Sequence, residues 1–167
     1  MFHVEKQSGD PSKDYQMMIK QVEAITEGEP DLIANLANAA ALLYHSLPEV
    51  NWAGFYLAKD GELVLGPFNG LPACVRIPSG KGVCGTAFAT GDVQRIADVH
   101  AFPGHIACDA ASQSEIVIPL KVNGQIIGVL DIDSPVKDRF SEVDETYLIQ
   151  FTEALQHALS ASTDASS

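Results

Sequence analysis

The sequence predicts an α+β fold, a central antiparallel sheet of about six strands with the N- and C-terminal helices packed on one face. Two amphipathic patterns at the start and one at the end enclose a middle section that is rich in strand-forming residues. The predicted strands are mostly joined by turns instead of helices, which is typical of antiparallel pairing. The length of 167 residues fits one domain with one core.

Helices are predicted at both ends of the chain. In the first, apolar residues recur at helical spacing over residues 15–25. A second is expected to begin near Asp31 and to stop before Pro48, and its many alanines favour helix. The last is expected to open at Ser141, with Asp144 three residues later in a variant of the capping box.

The middle of the sequence is expected to form the sheet. Aromatic and β-branched residues concentrate there in short segments that are bounded by glycine, proline and polar turn residues. Asn123-Gly124 is the strongest short hairpin signal in the chain. Glycine-rich residues 79–85 lead into a short helix that is expected over 83–89. The predicted strands are residues 51–57, 62–65, 74–77, 93–96, 115–122 and 125–132.

Composition and charge narrow the expected class of protein. The formal net charge of −12 repels phosphate backbones, so neither nucleic acid nor an anionic membrane is an expected partner. No apolar run approaches the roughly 20 residues that a membrane span needs. Three cysteines are an odd number for a secreted disulfide framework, and the polar N-terminus lacks a signal-peptide core, so a cytoplasmic location is expected. Residues 11–160 are expected to form the domain, after a flexible arm over 1–10 and before a disordered tail over 161–167.

The loop from residue 98 to 112 is the first candidate for chemistry. It has no hydrophobic period and contains Cys108, which is poorly explained as a buried apolar residue because such a loop buries little. Two other cysteines, Cys74 and Cys84, lie upstream, and Cys84 fits a small buried residue among apolar neighbours. A thiol in a loop, further thiols and acids on nearby strands are the parts of a cysteine redox centre. The same parts also fit a sensor pocket with incidental cysteines.

Three acids fall on the two last predicted strands, Glu115 on one and Asp131 with Asp133 on the other. Asp131 and Asp133 are two positions apart and therefore point to the same face of their strand. Apolar residues occur on both faces of that strand, which is typical of a central strand that is covered on both sides. This favours a pocket. On a buried face, two ionised carboxyl groups would lower the stability of the fold by several kcal/mol unless they are paired or protonated.

Other familiar sites do not match. Residues 79–85 contain Lys81 but fail the phosphate-loop pattern, and no serine hydrolase elbow occurs. His105 and Cys108 have the spacing of two metal ligands, but no second ligand pair accompanies them. We therefore expect neither a bound cofactor nor a metal ion.

Four segments together resemble a known family. They are NWAGFYL, LVLGPFNGLPACVRIPSGKGVCGTA, IADVHAFPGHIACDAASQSEIVIPL and GVLDIDSP, which is followed by Phe140. In combination these segments resemble the free methionine-(R)-sulfoxide reductases of the GAF-domain superfamily. The resemblance runs from about residue 12 to residue 160 and implies a GAF-like version of the predicted sheet. It also implies an oxidoreductase that acts on free methionine-(R)-sulfoxide and not on sulfoxides within proteins.

The resemblance implies a role for eight residues of this chain. Cys108 matches the nucleophile, Cys74 the principal resolving cysteine, and Cys84 a third cysteine that pairs as an alternative or recycles the disulfide. Glu115 and Asp131 are expected to polarise the sulfoxide. The expected substrate-binding residues are Trp52, Tyr56 and, for the ammonium group, Asp133.

The implied reaction begins with attack of the Cys108 thiolate on the sulfoxide sulfur and passes through a sulfenic acid to a disulfide. Thioredoxin is the implied external reductant, and a homodimer is compatible with apolar stripes on the N-terminal helices. The alternative is a non-catalytic GAF module that binds a small-molecule ligand. Such sensors usually belong to longer chains with an output domain, which favours the enzyme.

Overall fold

The computed structural model describes residues 8–105 and 110–166, with side chains over 8–105 and 110–160. Over these residues the chain forms four α-helices, six strands and one 3-10 turn. In chain order the elements are α1 (Pro11–Thr26), α2 (Leu32–Ser46), β1 (Trp52–Lys59), β2 (Glu62–Gly70), β3 (Arg76–Pro78), α3 (Gly82–Thr90), β4 (Gln94–Ile96), the 3-10 turn Val99–Ala101, β5 (Ser114–Val122), β6 (Gln125–Ser134) and α4 (Glu142–Ser166).

The strands form one sheet in the order β3-β2-β1-β6-β5-β4. Each neighbouring pair is antiparallel, so the predicted α+β class and the strand number are confirmed. β1 and β6 occupy the middle of the sheet although they are far apart in sequence. This arrangement places the N-terminal strand beside the last hairpin, and it is the reason that residues of β1 and β6 meet in one site.

Two tight turns set the register of the hairpins. Asn123 and Gly124 join β5 to β6 with φ values of 51° and 79°, and Asp60 and Gly61 join β1 to β2 with φ values of 53° and 81°. Positive φ at both central residues defines a type I′ turn, whose twist matches that of the flanking strands. The hairpin predicted at Asn123-Gly124 is confirmed.

Polar caps fix the helix starts that the sequence predicts. The backbone N–H of Ser141 donates to Oδ2 of Asp144 at 2.8 Å, and the N–H of Asp144 donates to Oγ of Ser141 at 3.2 Å. This reciprocal pair is the predicted capping box of α4. At α2, the carboxylate of Asp31 accepts from the N–H of Ala34 at 2.8 Å.

The sheet separates two apolar clusters. The larger one lies between the sheet and helices α1, α2 and α4, and β1 contributes Ala53 and Phe55 to it. The smaller one lies on the opposite face, where Trp52 and Tyr56 of β1 pack with α3. The N- and C-terminal helices therefore share one face as predicted, and the short helix α3 covers part of the other.

Several boundaries differ from the predicted ones. β2 continues to Gly70 instead of ending at residue 65, because β1 offers it backbone partners as far as Trp52. β3 begins at Arg76, so Cys74 lies in the loop before it and not in a strand. β3 pairs with β2 only through residues 76–78, which leaves Cys74 outside the ladder. α4 is helical to Ser166, beyond residue 160 where the domain was expected to end.

None of the helices over the described residues is both long enough and apolar enough to cross a bilayer.

Candidate active site

A pocket lies between the α3 face of the sheet and the segment that joins β2 to α3. β1 contributes two aromatic residues, β5 and β6 contribute acids, and α3 contributes a thiol. The space inside is about 40 Å³, room for a few water molecules. The lining residues are Trp52, Tyr56, Pro72, Ala73, Ile77, Lys81, Gly82, Val83, Cys84, His105, Ser112, Glu115, Asp131 and Asp133.

Strand register brings the three acids together. Asp133 of β6 pairs with Trp52 of β1 on one side and with Glu115 of β5 on the other. Asp131 lies two positions away on β6 and therefore points to the same face, as its spacing predicts. The acids consequently form one group on adjacent strands beside the Trp52 ring.

The acids are shielded from solvent. Asp131 is 5% exposed and Glu115 is 7% exposed. Burial raises the pKa of Asp131 well above its ordinary value, and the negative charges of Asp133 and Glu115 raise it further. Among the described residues, Oδ1 of Asp131 is buried without a hydrogen-bond partner. Asp131 is therefore suited to hold a proton at neutral pH and to donate it to a ligand oxygen.

Cys84 lies in the first turn of α3 with its sulfur facing the acids. Its Sγ is 3.9 Å from Oε2 of Glu115. Burial raises the pKa of the Cys84 thiol, and the negative charges of Asp131 and Glu115 raise it further. A helix N-terminus usually favours a thiolate, but here burial and the acids outweigh it. Cys84 is thus a protonated, free thiol and a poor nucleophile in this geometry.

Aromatic rings form the wall of the pocket next to the acids. The Trp52 ring stacks between two others, with centroids 5.9 Å from Tyr56 and 5.1 Å from Phe68. Gly70 lets Trp52 adopt this position, because a Cβ there would lie 2.6 Å from Cδ1 of Trp52. Trp52 was a predicted binding residue, whereas Phe68 was not predicted, since its place on β2 lies beyond the predicted strand end.

The same wall holds the loop that carries Cys74. Nε1 of Trp52 donates to the carbonyl of Leu71 at 3.1 Å, and the hydroxyl of Tyr56 donates to the carbonyl of Cys74 at 2.9 Å. Burial raises the pKa of Tyr56, and the charge of Asp131 adds to this, so the hydroxyl remains a donor. Cys74 is half-buried and disulfide-bonded. Cys108, the predicted nucleophile, lies outside the described residues.

Three polar lining residues were not predicted as site residues. Lys81 caps α3 and is the only lysine or arginine along the described pocket wall. Ser112 accepts a hydrogen bond from Nδ2 of Asn51 at 3.2 Å, and His105 lies at the end of the described part of the loop. All three lie in loops or at a helix start, where hydrophobic periodicity gives no signal.

Comparison with known proteins agrees with this geometry. The family model of the GAF domain matches residues 31–159. The free methionine-R-sulfoxide reductase of Escherichia coli strain K12 is 59% identical over 150 residues, covering 90% of this chain and 90% of the relative. The chain belongs to the free methionine-R-sulfoxide reductase family of GAF domains.

Two further proteins resemble the chain over nearly its whole length. Protein YtsP of Bacillus subtilis is 75% identical over 161 residues, which cover 95% of this chain and 99% of the relative. The structure of the free methionine-R-sulfoxide reductase of Neisseria meningitidis in complex with its substrate is 43% identical. It superposes with a TM-score of 0.94 and covers 99% of both chains. The predicted GAF-like fold is therefore confirmed.

Proposed function

We propose that this chain is an oxidoreductase that reduces free L-methionine-(R)-sulfoxide to methionine. The observation that carries the proposal is the single pocket in which three carboxyl groups face an aromatic wall beside the loop of Cys74. The names of the Escherichia coli and Neisseria meningitidis relatives support the same activity. A ligand-binding module without catalysis needs neither a proton donor nor a redox-active cysteine at its pocket.

Each wall of the pocket has a part in substrate binding. Trp52 offers a large apolar surface to the methyl end of the substrate, and Tyr56 lies beside it in the stack. Asp133 is the group that we assign to the substrate ammonium. The small space inside the pocket favours a free amino acid over a methionine sulfoxide within a polypeptide.

The chemistry needs an acid and a thiolate. The sulfoxide oxygen is transferred only when it is protonated, and Asp131, with Glu115 beside it, is placed to supply the proton. In the proposed reaction the Cys108 thiolate attacks the sulfoxide sulfur and forms a transient bond between the two sulfur atoms. The protonated oxygen then passes to the cysteine sulfur, so that one sulfur–oxygen bond forms at Cys108 while the substrate's sulfur–oxygen bond and the transient sulfur–sulfur bond break and methionine leaves. Cys108 becomes a sulfenic acid and is oxidised by two electrons while the substrate is reduced by two.

A second cysteine then closes the cycle. The thiol of Cys74 displaces the hydroxyl of the sulfenic acid to give a disulfide and water. The disulfide-bonded state of Cys74 supports a redox role for this cysteine, whereas Cys84 is a free thiol. Cys84, protonated beside the acids, is the alternative resolving or recycling thiol of the proposal.

The proposal also covers the reductant, the location and the oligomeric state of the enzyme. Thioredoxin is the proposed external reductant of the disulfide, and a cytoplasmic location, where thiols are normally reduced, suits a thiol-dependent cycle. A homodimer is also proposed. Met17 on α1 and Ile33 on α2 support it, because these apolar side chains are 44% and 53% exposed.

The decisive experiment supplies the reduced protein with separated R and S free sulfoxides, and with a peptide that contains methionine sulfoxide. Methionine release is measured with a dithiol as reductant. We expect turnover of the free R form alone. Binding of the R form without any methionine release would contradict the enzyme and support the ligand-binding module.

Two matched variants test the cysteine roles in a rapid multi-turnover assay with thioredoxin in place of the dithiol, because a small dithiol reduces a sulfenic acid directly. Cys108→Ser is expected to release no methionine, whereas Cys74→Ser is expected to release about one methionine per chain and then stall. Normal turnover by Cys108→Ser would end its assignment as the nucleophile. A burst of the same size from both variants would end the distinction between attack and resolution.

A further inference from the structure

Cys84, Glu115 and Asp131, to which the proposed redox cycle gives separate parts, also form one compact cluster. They come from α3, β5 and β6, and one side-chain ligand atom from each lies within 4.8 Å of the other two. All three residues are buried. One thiol and two carboxyl groups from separate elements therefore lie together in the pocket described above.

The spacing of the cluster fits a small divalent cation. At tetrahedral zinc, bonds of about 2.3 Å to sulfur and about 2.1 Å to oxygen place the two ligand atoms about 3.6 Å apart. Sγ of Cys84 and Oε2 of Glu115 are 3.9 Å apart. A thiolate ligand selects zinc and similar thiophilic ions over magnesium or calcium, which prefer oxygen ligands alone.

A second feature of the cluster favours a cation. Asp131 lines the pocket, and its Oδ1 is buried and has no hydrogen-bond partner in the described part of the chain. A buried polar atom without a partner costs free energy, and coordination of a cation by this oxygen would offset that cost. The pocket space of about 40 Å³ also accommodates an ion with a water molecule as fourth ligand.

We infer that Cys84, Glu115 and Asp131 bind one thiophilic divalent cation, such as Zn²⁺, in the pocket when substrate is absent. Coordination converts the Cys84 thiol to a thiolate and the Asp131 carboxyl group to a carboxylate, and both protons are released to solvent. The cation is bound by the same two acids that the proposed function assigns to the sulfoxide. Metal and substrate therefore exclude each other. Only this exclusion rests on the proposed function, whereas cation binding stands without it.

Binding is tested in a full-length Cys74→Ser/Cys108→Ser variant, in which Cys84 is the only cysteine. The probe is Co²⁺, because a thiolate ligand gives cobalt a charge-transfer absorption band in the near ultraviolet. We expect the band to saturate at one Co²⁺ per chain and to disappear when Zn²⁺ is added. The absence of such a band would overturn the inference.

The matched control adds Cys84→Ser to the same variant. Loss of a direct ligand should weaken binding by more than about a hundredfold, which exceeds the effect of an outer-shell change, and should remove the band. Asp131→Asn, which keeps the side-chain size, should weaken binding while the band of the bound state persists. An unchanged affinity in both variants would contradict the site, provided that circular dichroism shows both to be folded.

The consequence for activity is measured in the wild-type protein, reduced with a phosphine and freed of chelators. Zn²⁺ should raise the KM for the free R sulfoxide while kcat is maintained, and a chelator should reverse the effect. A fall in kcat at unchanged KM would contradict exclusion of substrate. If the protein shows no reductase activity but the Cys84-dependent cobalt band is present, the proposed function fails and the cation site remains.

Discussion

The two faces of the central strands differ in what their side chains do. On one face β1 presents Phe55, which is fully buried in the apolar cluster under α1, α2 and α4. On the other face the same strand presents Trp52 and Tyr56, next to three carboxyl groups. Because strand residues alternate, one segment of chain serves stability on one side and chemistry on the other. Substitutions on the helix face should therefore change the stability of the fold, and substitutions on the pocket face should change turnover.

The largest expected effect is on turnover, from Asp131→Asn on the pocket face. Loss of a proton donor should lower methionine release by about a hundredfold to ten-thousandfold. Thermal stability should be maintained, since the change removes a buried acid that has an unpartnered oxygen. The measurements are steady-state kinetics and thermal unfolding.

Asp138→Asn is the matched control for that variant. Asp138 is exposed, lies outside the pocket, and has a φ of 54° that asparagine also adopts. Its turnover should equal that of the wild type. Equal losses of turnover in the two variants would show that the pocket acid has no special part in the reaction.

The next effect is on stability, from Phe55→Ala on the helix face. Removing this buried ring should lower the free energy of unfolding by about 3–5 kcal/mol. Turnover per folded molecule should be unchanged, because the side chain points away from the pocket. Urea unfolding and kinetics at low temperature measure the two quantities.

Val143→Ala serves as the control for the Phe55 variant. The Val143 side chain is 47% exposed, so its truncation should change the free energy of unfolding by less than about 0.5 kcal/mol. A Phe55 variant that kept its stability but lost its turnover would reverse the roles of the two faces.

A smaller effect is expected from Tyr15→Phe, which tests a polar contact at the edge of the helix face. The Tyr15 hydroxyl donates to Oδ1 of Asp144 at 2.6 Å, and both groups are buried. Loss of a hydrogen bond to a charged acceptor should cost about 1.5–3 kcal/mol. Tyr147→Phe is the control, since it keeps the ring that stacks on Tyr15. Equal losses in urea unfolding would contradict the assignment.

The smallest effect is a dependence of stability on acid pH. Burial alone raises the pKa of Asp144, but hydrogen bonds from Ser141 and Tyr15 and the charge of Arg139 outweigh it and hold this pKa below its ordinary value. The folded state therefore binds fewer protons than the unfolded state as pH falls toward about 3.9. The free energy of unfolding should decline as pH falls below about 5. The contribution of Asp144 to it should be lost below the folded-state pKa of this group.

Asp144→Asn isolates that contribution. In urea unfolding at a series of pH values, this variant should show a weaker decline than the wild type over the same acid range. Identical slopes would show that Asp144 is not the group responsible.

Local chemistry made much of this fold predictable. The turn at Asn123-Gly124 and the capping box of Ser141 and Asp144 depend on residues no more than three positions apart. A short stretch of sequence therefore contains all the residues that form each feature. The shared face of Asp131 and Asp133 follows from strand geometry alone. The C-terminal end of β2 was missed because pairing with β1, and not local propensity, extends the strand to Gly70.

The site was predictable only in part, because its residues meet through tertiary contacts. From sequence, Cys84 is a small buried residue among apolar neighbours, and burial is indeed what the structure shows. Its contact with Glu115 joins α3 to β5 across 31 positions, and no local pattern encodes such a distance. Phe68 likewise depends on Gly70 to accept the Trp52 ring, which is a tertiary contact.

The two hydrogen bonds from Trp52 and Tyr56 to the carbonyls of Leu71 and Cys74 tether a cysteine-bearing backbone to the rings that would receive the substrate. A segment held at two points samples fewer conformations than a free loop, so in the proposed cycle the Cys74 sulfur should return to a similar position after every reduction. Recognition and redox chemistry are thereby mechanically linked. Replacing either ring to admit a larger substrate would also release the cysteine, and a broader specificity would cost turnover.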